Sequence, residues 1–119
     1  MSTGRFRRAD RLLDSRDFRR IRRIGKRLAS RYFVVLWVVS EATARGAGRR
    51  LGVTVSRRVG NAVVRNRVKR GVREWFRQKR GELPEPLEIV VIARQAASKL
   101  SAMEISNELN GLLKGGCSR

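Results

Sequence analysis

Asn66, Arg70, Arg73 and Arg77 recur at i, i+4, i+7 and i+11, so on a helix they fall within about 60° of one another. Three guanidinium forks on one ridge suit bidentate contacts to phosphate and stacking on bases. The chemistry on offer is the binding of anions. Bond-breaking chemistry is poorly represented: the sequence has no histidine, which removes the usual general base and the commonest metal ligand. The acids Glu104 and Glu108 share a helix face, and Asp14 and Asp17 flank a helix start. Capping and solvation account for both pairs. Ser56 has no base, and Gly46 and Gly48 sit as turn residues rather than in a Walker-type phosphate loop. The single cysteine, Cys117, can form neither an internal disulfide nor a zinc site. The chain alone is expected to catalyse nothing.

Charge distribution strengthens the case for an anionic partner. Lys and Arg number 29 against 10 acids in 119 residues, a net charge of +19. Residues 5–31 carry twelve basic and three acidic side chains, and residues 57–80 carry ten basic side chains with only Glu74 to oppose them. Solubility of a small domain needs a net charge of only about 2–8. Two cationic blocks of this density repel each other until a polyanion neutralises them, and a phosphate backbone does so with release of counterions. An anionic membrane surface is the weaker partner, because it calls for a helix with a broad apolar face. The longest apolar run, Tyr32 to Val39, has eight residues, far short of a membrane span. The arginine-rich N-terminus lacks the apolar stretch of a secretory signal. The expectation is a cytoplasmic nucleic-acid-binding protein that engages no membrane.

The elements that must position these residues follow from periodicity. With 41% hydrophobic residues, one domain with a real core is expected. Its ordered part runs over about residues 10–113, with a basic tail at 1–9 and a second tail at 114–119. Asp14-Ser15 reads as the N-cap of a short helix from Arg16 to Ile24, stopped by Gly25, with Phe18, Ile21 and Arg22 on one face. Arg31 to Ser40 reads as a strand, Glu41 to Gly48 as a loop, and Leu51 to Ser56 as a second strand; the two resemble a hairpin. Gly60 and Asn61 suit the entry and N-cap of a helix from Ala62 to about Lys79. Val64, Val68, Val72, Trp75 and Phe76 give that helix an apolar stripe opposite the ridge. Asn66 is a poor residue for mid-helix; it reads either as a contact to RNA or an RNA-bound metal ion, or as an ordinary exposed side chain. Arg70 and Glu74 form an i, i+4 pair that neutralises part of the ridge. Pro84 and Pro86 interrupt the chain before a strand at Leu87 to Ala93, and Ser101 with Glu104 fits a capping box for a last helix through Leu113. The fold class is α+β, an α-β sandwich in which the last two long strands, bridged by a helix, are candidates for parallel pairing. Trp37 reads as core packing.

The run Arg57-Arg58-Val59-Gly60-Asn61-Ala62-Val63-Val64-Arg65-Asn66-Arg67-Val68-Lys69-Arg70, continuing to Arg73-Glu74, strongly resembles the arginine–asparagine–arginine signature of the bacterial ribonuclease P protein subunit. Asp17-Phe18 with Gly25 seven residues after the Phe, Leu51 to Ser56, and Glu88 to Arg94 agree with it, so the resemblance covers about residues 10–113. It implies a four-stranded sheet with an extra short strand near Lys26 to Ala29, and a left-handed βαβ crossover, an exception to the usual hand. It also implies a role in removing the 5′ leader of precursor tRNA. In that reaction an RNA subunit carries the chemistry with Mg²⁺, the protein alone binds no metal, and no further protein partner is obligatory.

By the same resemblance, Arg65, Asn66, Arg67, Lys69, Arg70 and Arg73 face the catalytic RNA, with Arg57 and Arg58 as the basic pair before them. Phe18 matches the first aromatic of the family's leader-binding cleft, with core packing as the alternative for it and for Tyr32. Two positions depart from that pattern: Arg22 stands where a second aromatic is common, and Leu36 where a cleft tyrosine is common, with Tyr32 and Trp37 nearby. The cleft is therefore expected to rely more on arginine stacking and charge than on rings. A basic RNA-binding protein without enzymatic partners, such as a ribosomal component, is the alternative.

Overall fold

The computed structural model describes residues 15–39, 49–83 and 87–114. Along the chain run α1 (Ser15–Ile24), β1 (Lys26–Ala29), β2 (Phe33–Val39), β3 (Arg49–Val55), α2 (Ala62–Lys79), β4 (Leu87–Ala93) and α3 (Ala102–Leu113). Short 3-10 turns follow α2 at Arg80–Glu82 and β4 at Gln95–Lys99. The predicted capping residue Asp14, the loop from Glu41 to Gly48, Pro84 and Pro86, Cys117 and the tail at 1–9 lie outside the described residues, as does most of the tail at 114–119.

The strands form one mixed sheet in the order β1-β2-β4-β3. β1 and β4 both run antiparallel to β2, placing Leu28 and Val91 on either side of Val35. β3 runs parallel to β4 with Val53 beside Val91. The hairpin expected between β2 and β3 is therefore absent, because β4 lies between them. Burial explains the insertion. β4 is buried at every position but Ile92, whereas only Leu51 and Val55 of β3 are buried. The strand that is buried on both faces takes an inner position, and the half-exposed one takes the edge. The short strand implied at Lys26–Ala29 is present as β1. β2 starts at Phe33 rather than Arg31 because Ser30 organises a turn: its hydroxyl accepts from the amides of Tyr32 and Phe33, both at 3.2 Å.

Alternation along the strands assigns the two faces. Phe33, Val35, Leu51, Leu87, Ile89 and Val91 join α2 and α3 in the main core. Val34, Leu36 and Val90 meet Ile21 of α1 on the other face. Val68, Val72, Trp75 and Phe76 of the predicted stripe are buried, with Val64 at the rim. Gly25 ends α1 for lack of space: its amide donates to Ile21 O at 2.8 Å, and a Cβ there would lie 2.5 Å from that oxygen and 3.0 Å from Trp37 O. Asn61 Oδ1 accepts from the Val64 amide at 3.0 Å, as an N-cap does. The capping box of α3 is complete, with Ser101 Oγ accepting from Glu104 N at 3.2 Å and Glu104 Oε1 from Ser101 N at 2.8 Å.

Candidate nucleic-acid interface

Burying the apolar stripe of α2 turns its opposite side to solvent. Asn66 and Arg70 are exposed, and Arg65, Lys69, Arg73 and Arg77 are half-buried along the flanks. Arg57 and Arg58 are exposed in the turn between β3 and α2. That turn is held by Val59, which is 5% exposed in the main core, and by its amide, which donates to Ser56 O at 3.1 Å. The anchor leaves the two preceding arginines facing outward. One continuous cationic surface therefore runs from the end of β3 along α2.

Two details of the ridge differ from the sequence reading. Glu74 Oε1 accepts from Arg77 NH2 at 2.6 Å, not from Arg70. The acid thus lies N-terminal to its base, the orientation that complements the helix dipole, whereas pairing with Arg70 would reverse it. Among the described residues Arg70 makes no ion pair, so the most prominent charge of the ridge stays available to an external anion. Arg67 is engaged within the protein: its NH2 donates to the carbonyl oxygen of Ser98, in the turn that leads to α3. One arm of this signature arginine thereby fastens α2 to the Gln95–Lys99 turn.

The four residues assigned by resemblance to a leader cleft are divided by the fold. Arg22 is exposed on α1. Phe18 belongs to α1, but its side chain lies outside the described ones. Leu36 is 6% exposed and packs with Ile21, Val34 and Val90 beneath α1, so it is core on that face rather than an open contact. Tyr32 is half-buried against the α2–α3 core instead, with the Arg31 guanidinium 5.9 Å from its ring centroid. Trp37 is core, as expected, with Lys26 Nζ 5.5 Å from its ring centroid.

Sequence reasoning assigned no role to Glu88. It is the one buried charged or polar residue among the described residues, at 2% exposure. Oε1 accepts from Arg20 NH2 on α1, and Oε2 lies 3.9 Å from Arg50 NH1 on β3. An acid interrupting the apolar run of β4 was the available signal, but its partners, one of them 68 residues away, were not readable locally.

Among the described residues no group of three or more His, Cys, Asp or Glu side chains could hold a metal ion. No described helix is long and apolar enough to cross a membrane. The arrangement presents a row of cations suited to an extended polyanion.

Comparison with known proteins gives a consistent picture. The family model for Ribonuclease P matches residues 6–115. The ribonuclease P protein component of Syntrophobacter fumaroxidans is 40% identical over 108 residues, spanning 90% of this chain and 87% of that protein. The solved RNase P protein of Staphylococcus aureus superposes with a TM-score of 0.80 at 37% identity, over 88% of this chain and 93% of that one. The RNase P protein of Thermotoga maritima, solved in complex with 1-(4-fluorophenyl)-2-thiourea, gives 0.76 at 38% identity, over 87% and 96% of the two chains.

Proposed function

The chain belongs to the ribonuclease P protein family, and on that premise we propose how its surfaces serve the enzyme. As a protein component it is a subunit of the ribonucleoprotein endonuclease that matures tRNA 5′ ends, and it associates with the RNA of that enzyme. The ribosomal alternative is not favoured.

In the proposed division of labour the RNA subunit carries the chemistry, and Mg²⁺ held by that RNA supplies an activated water for phosphodiester hydrolysis. The protein's part is electrostatic. Arg57, Arg58, Arg65, Asn66, Lys69, Arg70 and Arg73 face the catalytic RNA, and Arg67 joins them with the arm not given to Ser98. Bringing a precursor tRNA against a ribozyme sets two phosphate backbones side by side. Cations between them lower that repulsion without needing any reactive group. The single-stranded 5′ leader lies on the α1 side, held by Arg22 and Phe18 with Leu36 as packing beneath, and meets Tyr32, which packs toward the α2–α3 core, only past the start of β2. Stacking and charge together hold single strands with little sequence preference. The setting is cytoplasmic, and no additional protein is required.

The observation that carries this reading is the row of cations on α2, with Arg70 making no ion pair among the described residues. Reconstitution tests it. The chain added to its cognate RNA should process precursor tRNA at Mg²⁺ concentrations where the RNA alone is slow, and RNA-free chain should cut nothing. Equal rates with and without the protein would remove the assignment.

A further inference from the structure

We propose that Glu88 is a positioning residue that fixes the roll of α1, and through it the geometry of the leader-binding side; the inference rests on the leader reading given above. Among the described side chains of α1, apolar contact with the sheet is slight. Among its residues with described side chains only Ile21 is buried, while Arg19, Arg22, Arg23 and Ile24 are exposed. One buried apolar side chain does not by itself fix how a helix is turned on a sheet. The link from Arg20 to Glu88 supplies a second attachment. Residues 20 and 21 project about 100° apart on a helix, so the two attachments together set its orientation on the sheet.

Glu88 is well suited to the task. It stands on β4, the central strand, opposite Val38 of β2 and beside Arg50 of β3. At 2% exposure its carboxylate would be costly to bury without cations around it. Arg20 and Arg50 approach from different elements, so the carboxylate ties α1 to two adjacent strands. The signature helix α2 packs on the opposite face of the sheet. Loosening α1 therefore leaves the cationic ridge in place. The consequence is a separation of functions: Glu88 governs grip on the leader and not docking to the catalytic RNA.

The test compares affinities of reconstituted holoenzyme for precursor tRNA bearing a 5′ leader and for the same tRNA without it. Glu88→Gln and Arg20→Gln should each weaken binding of the leader-bearing RNA by about three- to tenfold, leaving leaderless affinity and holoenzyme assembly unchanged. Net charge alone predicts otherwise, because Glu88→Gln makes the protein more cationic and Arg20→Gln less so, which would shift affinity in opposite directions. Opposite shifts, or an unaltered preference for the leader in both variants, would overturn the proposal. A wild-type enzyme that binds both RNAs equally would instead remove the leader reading itself. Should Glu88→Gln fail to fold, Arg20→Gln keeps Arg50 beside the buried carboxylate and decides alone: a loss confined to the leader-bearing RNA supports positioning, and an equal loss for both RNAs refutes it.

Discussion

Gly71 on α2 lies so close to Ile105 on α3 that a Cβ at position 71 would sit 2.8 Å from Ile105 Cδ1. The missing side chain lets the two helices pack closely, and Ile105, with no exposed surface, fills the space. Gly71→Leu should destabilise the fold by about 1–3 kcal/mol through overpacking. Gly71→Ala should stay within about 1 kcal/mol of wild type. There the gain in helix propensity offsets a clash with the movable end of one side chain. Urea denaturation measures both, and a neutral Gly71→Leu would show that the crossing is loose.

The same helix pair holds a buried polar contact. Trp75, at 1% exposure, donates from Nε1 to Asn110 Oδ1 at 2.8 Å. Asn110→Leu removes the acceptor and leaves the indole N–H without a partner, at a cost of about 1–3 kcal/mol. Trp75→Phe in the Asn110→Leu background should cost less than Trp75→Phe alone, because the orphaned donor goes with it. A double-mutant cycle on thermal unfolding reads this coupling.

Local periodicity carried α2, α3 and their caps, because a helix buries a stripe whose spacing is written into consecutive residues. Asn61 and Ser101 were readable for the same reason: a cap bonds to an amide three residues away. Strand order was not local. β2 and β3 are neighbours in sequence, yet both find better apolar partners in β4, which arrives after an 18-residue helix. β1 has four residues and a mostly exposed pattern, so no alternation marks it, and only the family resemblance supplied it. The site divides in the same way. The cations of α2 were legible as a helical ridge, while the bond from Arg67 to Ser98 and the ion pairs of Glu88 join residues that only the folded chain brings together.

Asn61 caps α2 at the point where the chain leaves the Arg57–Arg58 turn. Asn61→Ala should therefore lower stability by about 0.5–2 kcal/mol. Fraying of the first turn would also reach Arg65, whose amide donates to Asn61 O at 2.9 Å. RNA affinity should fall with stability in this variant. Asn61→Asp keeps an accepting oxygen and places a negative charge at the helix N-terminus. It should hold stability near wild type while weakening RNA binding by adding an anion to a cationic surface. Circular dichroism melts paired with RNA titrations separate the two effects, and wild-type RNA affinity in either variant would contradict this account.

Arg70 and Arg67 stand one helical turn apart and should answer mutation differently. Arg70 is exposed and makes no ion pair among the described residues, so under the proposed function Arg70→Ala removes a contact to the RNA and nothing that holds the fold. Binding should weaken by about 1–3 kcal/mol, the slope of affinity against salt should fall by about one counterion, and the unfolding midpoint should not move. Arg67 also donates to the Ser98 carbonyl, so Arg67→Ala should in addition release the Gln95–Lys99 turn. That release is visible as faster amide exchange at Ala97, which donates to Arg94 O at 2.9 Å, and at Leu100, which donates to Ala97 O at 3.1 Å. Arg67→Lys restores charge but not the planar fork, so it should recover the salt slope more fully than the exchange protection. If Arg67→Ala left exchange in this turn at the wild-type rate, the residue would act only through its charge, as Arg70 does.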